Sequence, residues 1–263
     1  MYKLVAIDMD DTLLDDNCRI TDGTKQALAA AAASGVTVTI ATGRMYASAE
    51  KIARQLEMNV PIITYQGALV KNLLDGRVLY ERSVPEHTAS WLYDFCTARG
   101  LHLQAYVNDQ LYVAKENQKI KDYSALSNIP YIVERDFAAL FAQPQYKMLM
   151  IDEPAKLDAI SEELQEAIGH EAHITKSKPH FLEVMHPEGT KGNALRFLAG
   201  HIGCTMAETI GIGDSWNDRD LIELAGLGVA MGNAIQSLKQ IADYIAPDNN
   251  NEGVRHVLEK FVL

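Results

Sequence analysis

The sequence predicts an α/β protein: a Rossmann-like core with a mostly parallel sheet, plus an inserted α+β domain. Short β-rich apolar runs alternate with longer stretches of helical period at both ends of the chain, which is the rhythm of βαβ units. Between them the pattern changes to paired short strands with a hairpin signature. The 263 residues are 48% apolar and 22% charged, enough for one large or two smaller folded units with a substantial core.

Residues 4–7 have the composition of a buried strand. Thr21 fits the N-cap of a helix running through the alanines to Ala33, with Gly35 as its stop. A strand over 36–40, a helix over 45–56 and a strand over 62–65 follow. In the middle stretch, residues 103–107 and 111–113 flank Asn108-Asp109-Gln110 as a hairpin. Helices are expected there over 116–127 and 154–168, and strands over 147–151 and 181–185. The first rhythm then resumes, with helices over 193–201, 218–225 and 234–241 and strands over 209–212, 228–231 and 244–246. Ser83-Val84-Pro85 and His186-Pro187-Glu188-Gly189 punctuate the changes of pattern. The expected organisation is a discontinuous core of residues 1–83 and 186–263, with 84–185 inserted through a two-stranded hinge.

With 24 basic and 35 acidic residues the formal charge is −11. That balance repels a nucleic-acid backbone, and no local basic stripe reverses it. It would equally repel a phosphorylated metabolite unless a metal or a lysine changes the field locally. Cys18, Cys96 and Cys204 are odd in number and widely spaced, which argues against a disulfide framework or thiolate zinc site and for a reducing cytoplasm. No apolar stretch reaches the roughly 18 residues of a membrane span, and the first acidic residue, Asp8, comes too early for a signal peptide. The expectation is a cytoplasmic protein with no membrane or nucleic-acid partner, a monomer or weak homo-oligomer.

Four short motifs carry chemistry. Asp8-Met9-Asp10-Asp11-Thr12 directly follows the first strand, at the sheet edge where α/β proteins bind ligands. Carboxylates this close both ionise only if a cation or lysine joins them. Thr42-Gly43-Arg44 follows the second strand and opens a helix, so a hydroxyl and backbone N–H groups stand ready for an anion; a plain threonine N-cap reads the same way. Lys191, in Gly189-Thr190-Lys191-Gly192, precedes another helix, and its flanking glycines suggest close backbone approach to an anion. Gly211-Ile212-Gly213-Asp214-Ser215-Trp216-Asn217-Asp218 lacks the third glycine of a dinucleotide fingerprint but adds Asp214 and Asp218 at another strand end. Oxygen-rich ligation of this kind suits a hard ion, Mg²⁺ above all.

In this order, D-x-D-x-T, T-G-R, a glycine-flanked lysine and G-D-x-x-N-D closely resemble the haloacid dehalogenase superfamily of phosphatases. Asn249 and Gly253, in a trailing N-x-x-x-G-V, and the large insertion between the second and third motifs are similar to its Cof-type subgroup. Gln66-Gly67-Ala68 departs from the N-G-A often found there. The resemblance covers essentially the whole chain, and it implies roles. Asp8 would be the nucleophile that takes the phosphoryl group, and Asp10 the acid and base. Asp8, the Asp10 backbone carbonyl, Asp214 and Asp218 would hold Mg²⁺, Asp218 either as a ligand or as support. Thr42 and Lys191 would hold the transferring phosphoryl oxygens. Gly43, Arg44, Asn217 and Asn249 would support phosphate or substrate. The substrate would be a small phosphorylated metabolite, a sugar phosphate by preference. A phosphomutase or phosphotransferase using the same intermediate, or a non-catalytic phosphometabolite sensor, are the alternatives. In the inserted domain, His180, Glu183 and His186 stand near the second hinge segment as substrate contacts or structural residues, and Tyr106, Tyr112 and Tyr123 read as domain core.

Overall fold

The computed structural model describes residues Met1–Leu263. The chain begins with β1 (Leu4–Asp8), α1 (Asp22–Ala33), β2 (Thr37–Ala41), α2 (Tyr46–Ala53), β3 (Pro61–Thr64), β4 (Leu69–Asn72) and β5 (Val78–Glu81). Then come α3 (Glu86–Ala98), β6 (Leu103–Val107), β7 (Gln110–Val113), α4 (Gln118–Ser127), β8 (Tyr131–Val133), β9 (Met148–Ile151), α5 (Pro154–Ile168), β10 (His173–Lys178) and β11 (Phe181–Met185). It ends with α6 (Lys191–Ile202), β12 (Thr209–Gly213), α7 (Arg219–Leu224), β13 (Leu227–Ala230), α8 (Gln236–Lys239), β14 (Tyr244–Ile245) and α9 (Gly253–Phe261).

These strands form two sheets. The first has the order β14-β13-β12-β1-β2-β3-β4-β5. It is parallel from β14 to β3, and β4 and β5 add antiparallel at one edge. The second has the order β10-β11-β9-β6-β7-β8 and is antiparallel except where β7 meets β8. The mostly parallel first sheet agrees with the α/β expectation. Thr21 does cap α1, accepting from the Thr24 N–H, and Gly35 lies just past its end at φ +90°. The first hairpin of the second sheet turns on two residues rather than three, since Asn108 and Asp109 both take positive φ (50° and 58°) and Val107 pairs with Gln110.

Several elements exceed the sequence expectation. The β4–β5 hairpin carried its signal in Asp75-Gly76, with Gly76 at φ +68°. Helix α3 buries Thr88, Ala89, Leu92, Phe95 and Cys96 at helical spacing, and Pro85 marks its start rather than a loop. Strands β8 and β10 and helix α9 were not anticipated either, and the helix expected over 45–56 stops at Ala53 before a tight turn.

Packing explains what faces the space between the sheets. In the second sheet Leu182 and Val184 of β11, with Met148 and Met150 of β9, pack on α3 and α5 in one apolar core. Side chains alternate along a strand, so Phe181, Glu183 and Leu149 turn the other way, toward the first sheet. At the tip of the β6–β7 hairpin, Asp109 accepts from the Tyr65 hydroxyl (2.6 Å) and the Ala47 N–H (3.2 Å), fastening the second sheet to the start of α2.

The turn between β3 and β4 is tightly constrained. Tyr65, Gln66 and Gly67 have φ of 51°, 61° and 112° in succession. A Cβ on Gly67 would stand 2.1 Å from the Thr190 carbonyl oxygen, so the turn presses directly on the start of α6. Gly67→Ala should therefore cost at least about 1–3 kcal/mol, from strain alone, and lower the urea midpoint with an unchanged slope. Gly76→Ala is the control, because only the Lys71 side chain approaches there, at 3.7 Å. Equal losses for the two variants would show that the contact with Thr190 does not constrain the turn.

Candidate active site

Parallel pairing sets the strand ends side by side: Asp8 pairs with Ala41 at the end of β2, and Ile7 with Ile212 near the end of β12. The chain then leaves β1 through a tight irregular turn, closed by the Leu14 N–H donating to the Met9 carbonyl (3.0 Å), with Asp11 at φ +60°. Asp8, Thr42 and Asp214 thus converge at one sheet edge, the usual ligand site of open α/β sheets.

Beneath them lies Lys191, the first residue of α6, with no solvent exposure. Its Nζ donates to Asp8 Oδ1 (2.5 Å) and to Asp218 Oδ1 (2.6 Å). The second oxygen of Asp218 accepts from the N–H groups of Asp214 (3.0 Å) and Ser215 (3.1 Å), so this carboxylate shapes the loop after β12. Thr12 Oγ1 donates to Asp214 Oδ1 (3.0 Å) and orients it. Ligand oxygens of Asp8, Asp214 and Asp218 lie within 4.8 Å of one another.

The electrostatics of this cluster are unbalanced. Three carboxylates and one ammonium sum to −3 + 1 = −2 when all are ionised. Burial pushes Asp8 well above the ordinary carboxylate range, and Asp218 adds to this while Lys191 opposes it. Asp214 is raised to about 7, by burial first and by Asp218 next. Burial alone would lower the Lys191 pKa, but Asp218 and Asp8 outweigh it and raise it. An oxygen-only donor set with two surplus negative charges fits a hard divalent cation.

A cavity of about 270 Å³ opens above the cluster, near the lower bound of roughly 300–1,000 Å³ for small-molecule clefts. Asp8, Asp10, Thr42, Gly43, Arg44, Asp214 and Asn217 line it, and both sheets contribute to the wall. Arg44 donates to both carboxylate oxygens of Asp10, at 2.6 and 2.8 Å, so the Asp10 carboxylate stands apart from the three-carboxylate cluster. Thr42 is buried, and its hydroxyl accepts from the Arg44 N–H (3.1 Å). Asn217 donates to the Gln66 side chain (2.9 Å).

Some expectations need correction. Asn249 lines not this cavity but a neighbouring polar pocket that shares Asp11 and Asp214 with it; its side chain donates to the Leu14 carbonyl (3.0 Å) and to Asp16 (3.3 Å), pinning the loop that follows β1. The anion that Gly192 approaches is Asp220 of the chain itself, whose carboxylate accepts the Gly192 N–H (2.9 Å). Of the three residues near the second hinge segment, only Glu183 reaches the cavity. His180 packs against the Phe181 ring, and His186 accepts from the Glu188 N–H. Tyr106 is core, its hydroxyl bonded to Gln104 and Tyr123, whereas Tyr123 also lines the cavity and Tyr112 is half-buried against Gln110. Thr12, Gln66 and Lys147 were not foreseen at the site. Thr12 is the last letter of D-x-D-x-T, and Lys147 is a lone charge abutting an apolar strand.

Fold and site together define an α/β enzyme whose chemistry is assembled from carboxylates and a lysine at the carboxyl edge of a parallel sheet. Residues 5–258 match the model of the haloacid dehalogenase-like hydrolases, and the chain belongs to that family. It is 38% identical over 268 residues to a Streptococcus pyogenes protein that carries a provisional phosphatase name, covering 99% of this chain and 98% of that one. Among solved structures, TM0651 of Thermotoga maritima is 34% identical with a TM-score of 0.86, over 100% of this chain and 98% of that one. The subclass IIB sugar phosphatase BT4131 is 26% identical with a TM-score of 0.85, over 98% of each chain.

The raised Asp214 predicts a pH-dependent penalty. Its folded pKa of about 7 lies above the ordinary 3.8, so the folded state holds the proton more tightly. Its contribution to stability is therefore most favourable below about pH 4, declines as pH rises toward 7, and stays low above that. With chelator present, Asp214→Asn should raise the melting temperature at pH 8, at roughly 2–4 °C for each kcal/mol relieved. The gain should shrink at pH 5. A gain that is equal at both pH values would mean that Asp214 does not titrate in this window.

Proposed function

We propose that this enzyme is a Mg²⁺-dependent phosphatase that hydrolyses a small sugar phosphate through an aspartyl-phosphate on Asp8. The observation that carries this reading is the buried Lys191 ammonium joining Asp8 to Asp218, with Asp8 and Asp214 lining a small polar cavity. The names of the relatives, phosphatases and a sugar phosphatase among them, support it. Asp8, the Asp10 backbone carbonyl and Asp214 would hold Mg²⁺, with Asp218 as support, and the bound ion supplies positive charge to the phosphoryl oxygens.

The chain's own groups account for the remaining steps. Asp8 Oδ1 is held by Lys191, which leaves Oδ2 as the oxygen that would attack phosphorus. A new Oδ2–P bond forms as the bond to the leaving oxygen breaks, and that oxygen takes its proton from Asp10. Water then attacks the phosphorus, Asp10 takes back a proton, and the bond to Asp8 breaks to release orthophosphate. Lys191 has three N–H donors and spends two on carboxylates, which leaves one for a phosphoryl oxygen. The Thr42 hydroxyl would hold another. Residues 84–185 act as a cap that excludes water and contributes substrate contacts.

Chelation should abolish turnover, and Mg²⁺ should restore it without refolding; full activity in excess chelator would remove the metal from the reading. Asp8→Asn should stop turnover of every ester. Asp10→Asn should slow the first step about 10²–10⁴-fold with sugar phosphates, and much less with aryl phosphates, whose leaving groups need little protonation. The intermediate on Asp8 should then accumulate with aryl phosphates, seen as one added phosphoryl group by intact mass after acid quench. Equal slowing of both substrate classes would assign Asp10 to support rather than proton transfer. Phosphate recovered on a second sugar instead of as orthophosphate would make the enzyme a phosphotransferase.

A further inference from the structure

The wall of the cavity contains an ion pair that the phosphoryl chemistry leaves unused. Lys147 and Glu183 are 1% and 2% exposed; Glu183 lies in β11 of the second sheet, and Lys147 immediately precedes β9 of the same sheet. Lys147 Nζ donates to Glu183 Oε1 (2.9 Å) and to the Gly43 carbonyl (2.7 Å). Gln66 Nε2 donates to the other Glu183 oxygen. Burial alone would lower the Lys147 pKa, but Glu183 outweighs it and raises it, so the buried lysine keeps its charge. Burying an ion pair is costly, and apolar residues of similar volume commonly stabilise a fold as well or better. This pair does not sit in an apolar core: both members line the cavity.

The pair has unspent valences on residues that line the cavity. Lys147 has used two of its three N–H donors, and each Glu183 oxygen has accepted one hydrogen bond of the two it can take. We propose that Lys147 and Glu183 form the subsite that reads hydroxyl groups on the ester's carbon skeleton, selecting sugar or alditol monophosphates over esters with a second anionic group. This rests on the phosphatase reading above. A hydroxyl is both donor and acceptor, so neighbouring hydroxyls can satisfy Glu183 and Lys147 together. A second phosphate or carboxylate would meet the Glu183 carboxylate with no spare cation to offset it. Lys147 is matched by Glu183 and Arg44 by Asp10, while the remaining cavity cation, Lys178, lies 3.7 Å from Asp11. A nucleobase finds little flat apolar wall, since four of the eighteen lining residues are hydrophobic. The bond from Lys147 to Gly43 also ties this subsite to the loop that receives the phosphoryl group, which sets the spacing between phosphate and hydroxyls.

The test uses the full-length protein with Mg²⁺, wild type against Glu183→Gln and Lys147→Met. Substrates are pentose, hexose and alditol monophosphates, deoxy analogues of the best one, a hexose bisphosphate, and 4-nitrophenyl phosphate. In either variant the ratio of kcat/KM for the best monophosphate to that for 4-nitrophenyl phosphate should fall about 10–100-fold, the worth of a charged hydrogen bond, mainly through KM. At least one deoxy analogue should be penalised in wild type and nearly indifferent to Glu183→Gln, a non-additive pair. The preference for monophosphate over bisphosphate should narrow in Glu183→Gln. Equal loss on sugar and aryl esters, or additive deoxy effects, would make the pair structural and overturn the subsite. Absence of phosphate release from every ester by wild type, 4-nitrophenyl phosphate included, would instead sink the phosphatase reading and the subsite with it.

Discussion

The ammonium of Lys191 is wholly buried, and it can stay charged there only because Asp8 and Asp218 meet it at 2.5 and 2.6 Å. An ion inside a protein costs several kcal/mol of lost hydration, and one stripped of its partner is far worse than one never placed there. The three residues come from β1, from the start of α6 and from the loop after β12. Meeting this lysine therefore demands that distant stretches of the chain dock in one register. The supporting contacts serve that demand: Asp220 accepts the N–H of Gly192 in the first turn of α6, and the turn at Gly67 leans on Thr190 from the other side. Asp218 also holds the N–H groups of Asp214 and Ser215 and so carries the lysine's position into the next loop.

The same cluster is where the fold is least consistent with itself. Backbone strain collects beside it, at Asp11, Tyr65 and Gln66, none of them glycine and all at positive φ. Like charges collect within it, and burial raises both Asp8 and Asp214. The fully buried strand β1 and its neighbours supply the rigidity that tolerates both. A polypeptide selected for stability alone would not gather three carboxylates around one lysine, so the arrangement is intelligible as a site held ready for positive charge and a phosphoryl group.

Much of this was legible in the chain. Parallel strands must present their ends together, so the acidic residues just past two apolar runs and the Thr42-Gly43-Arg44 turn past a third had to converge, and the ordered motifs named the participants. Legibility failed where a side chain's destination depends on which strand lies beside it. Lys147 abuts Met148–Ile151, a run that reads as an ordinary buried strand, and nothing local says that this strand's residues cover α3 and α5 while the lysine beside them meets Gly43 and Glu183. Asn249 failed for a related reason: a buried asparagine in an Asn-rich turn can aim at a ligand or at the chain, and here Leu14 and Asp16 claim it. The β4–β5 hairpin and α9 were different, since Asp75-Gly76 and the spacing of Val254, Val257 and Leu258 did carry a readable signal.

Much of what joins the two sheets around the cavity is polar. Asp109 takes hydrogen bonds from Tyr65 and Ala47, the Ser127 carbonyl takes one from Ser48, and Lys147 and Glu183 meet Gly43 and Gln66. Hydrogen bonds of this kind can be exchanged for water at small net cost, about 0.5–1.5 kcal/mol each, as long as no group is left buried and unpaired. The placement of charge respects that condition. Lys147, just before β9, and Glu183 of β11 stand on the same side of the cavity and pair with each other, so separating the sheets would hand Gly43 and Gln66 to water without stranding either charge. Arg44 and Asp10 are likewise paired within the first sheet's own loops. The buried cations Lys147 and Arg44 are thus matched within their own halves of the cavity, while the more exposed Lys178 reaches across to Asp11 at 3.7 Å, so the wall groups that meet across the cavity are mostly neutral.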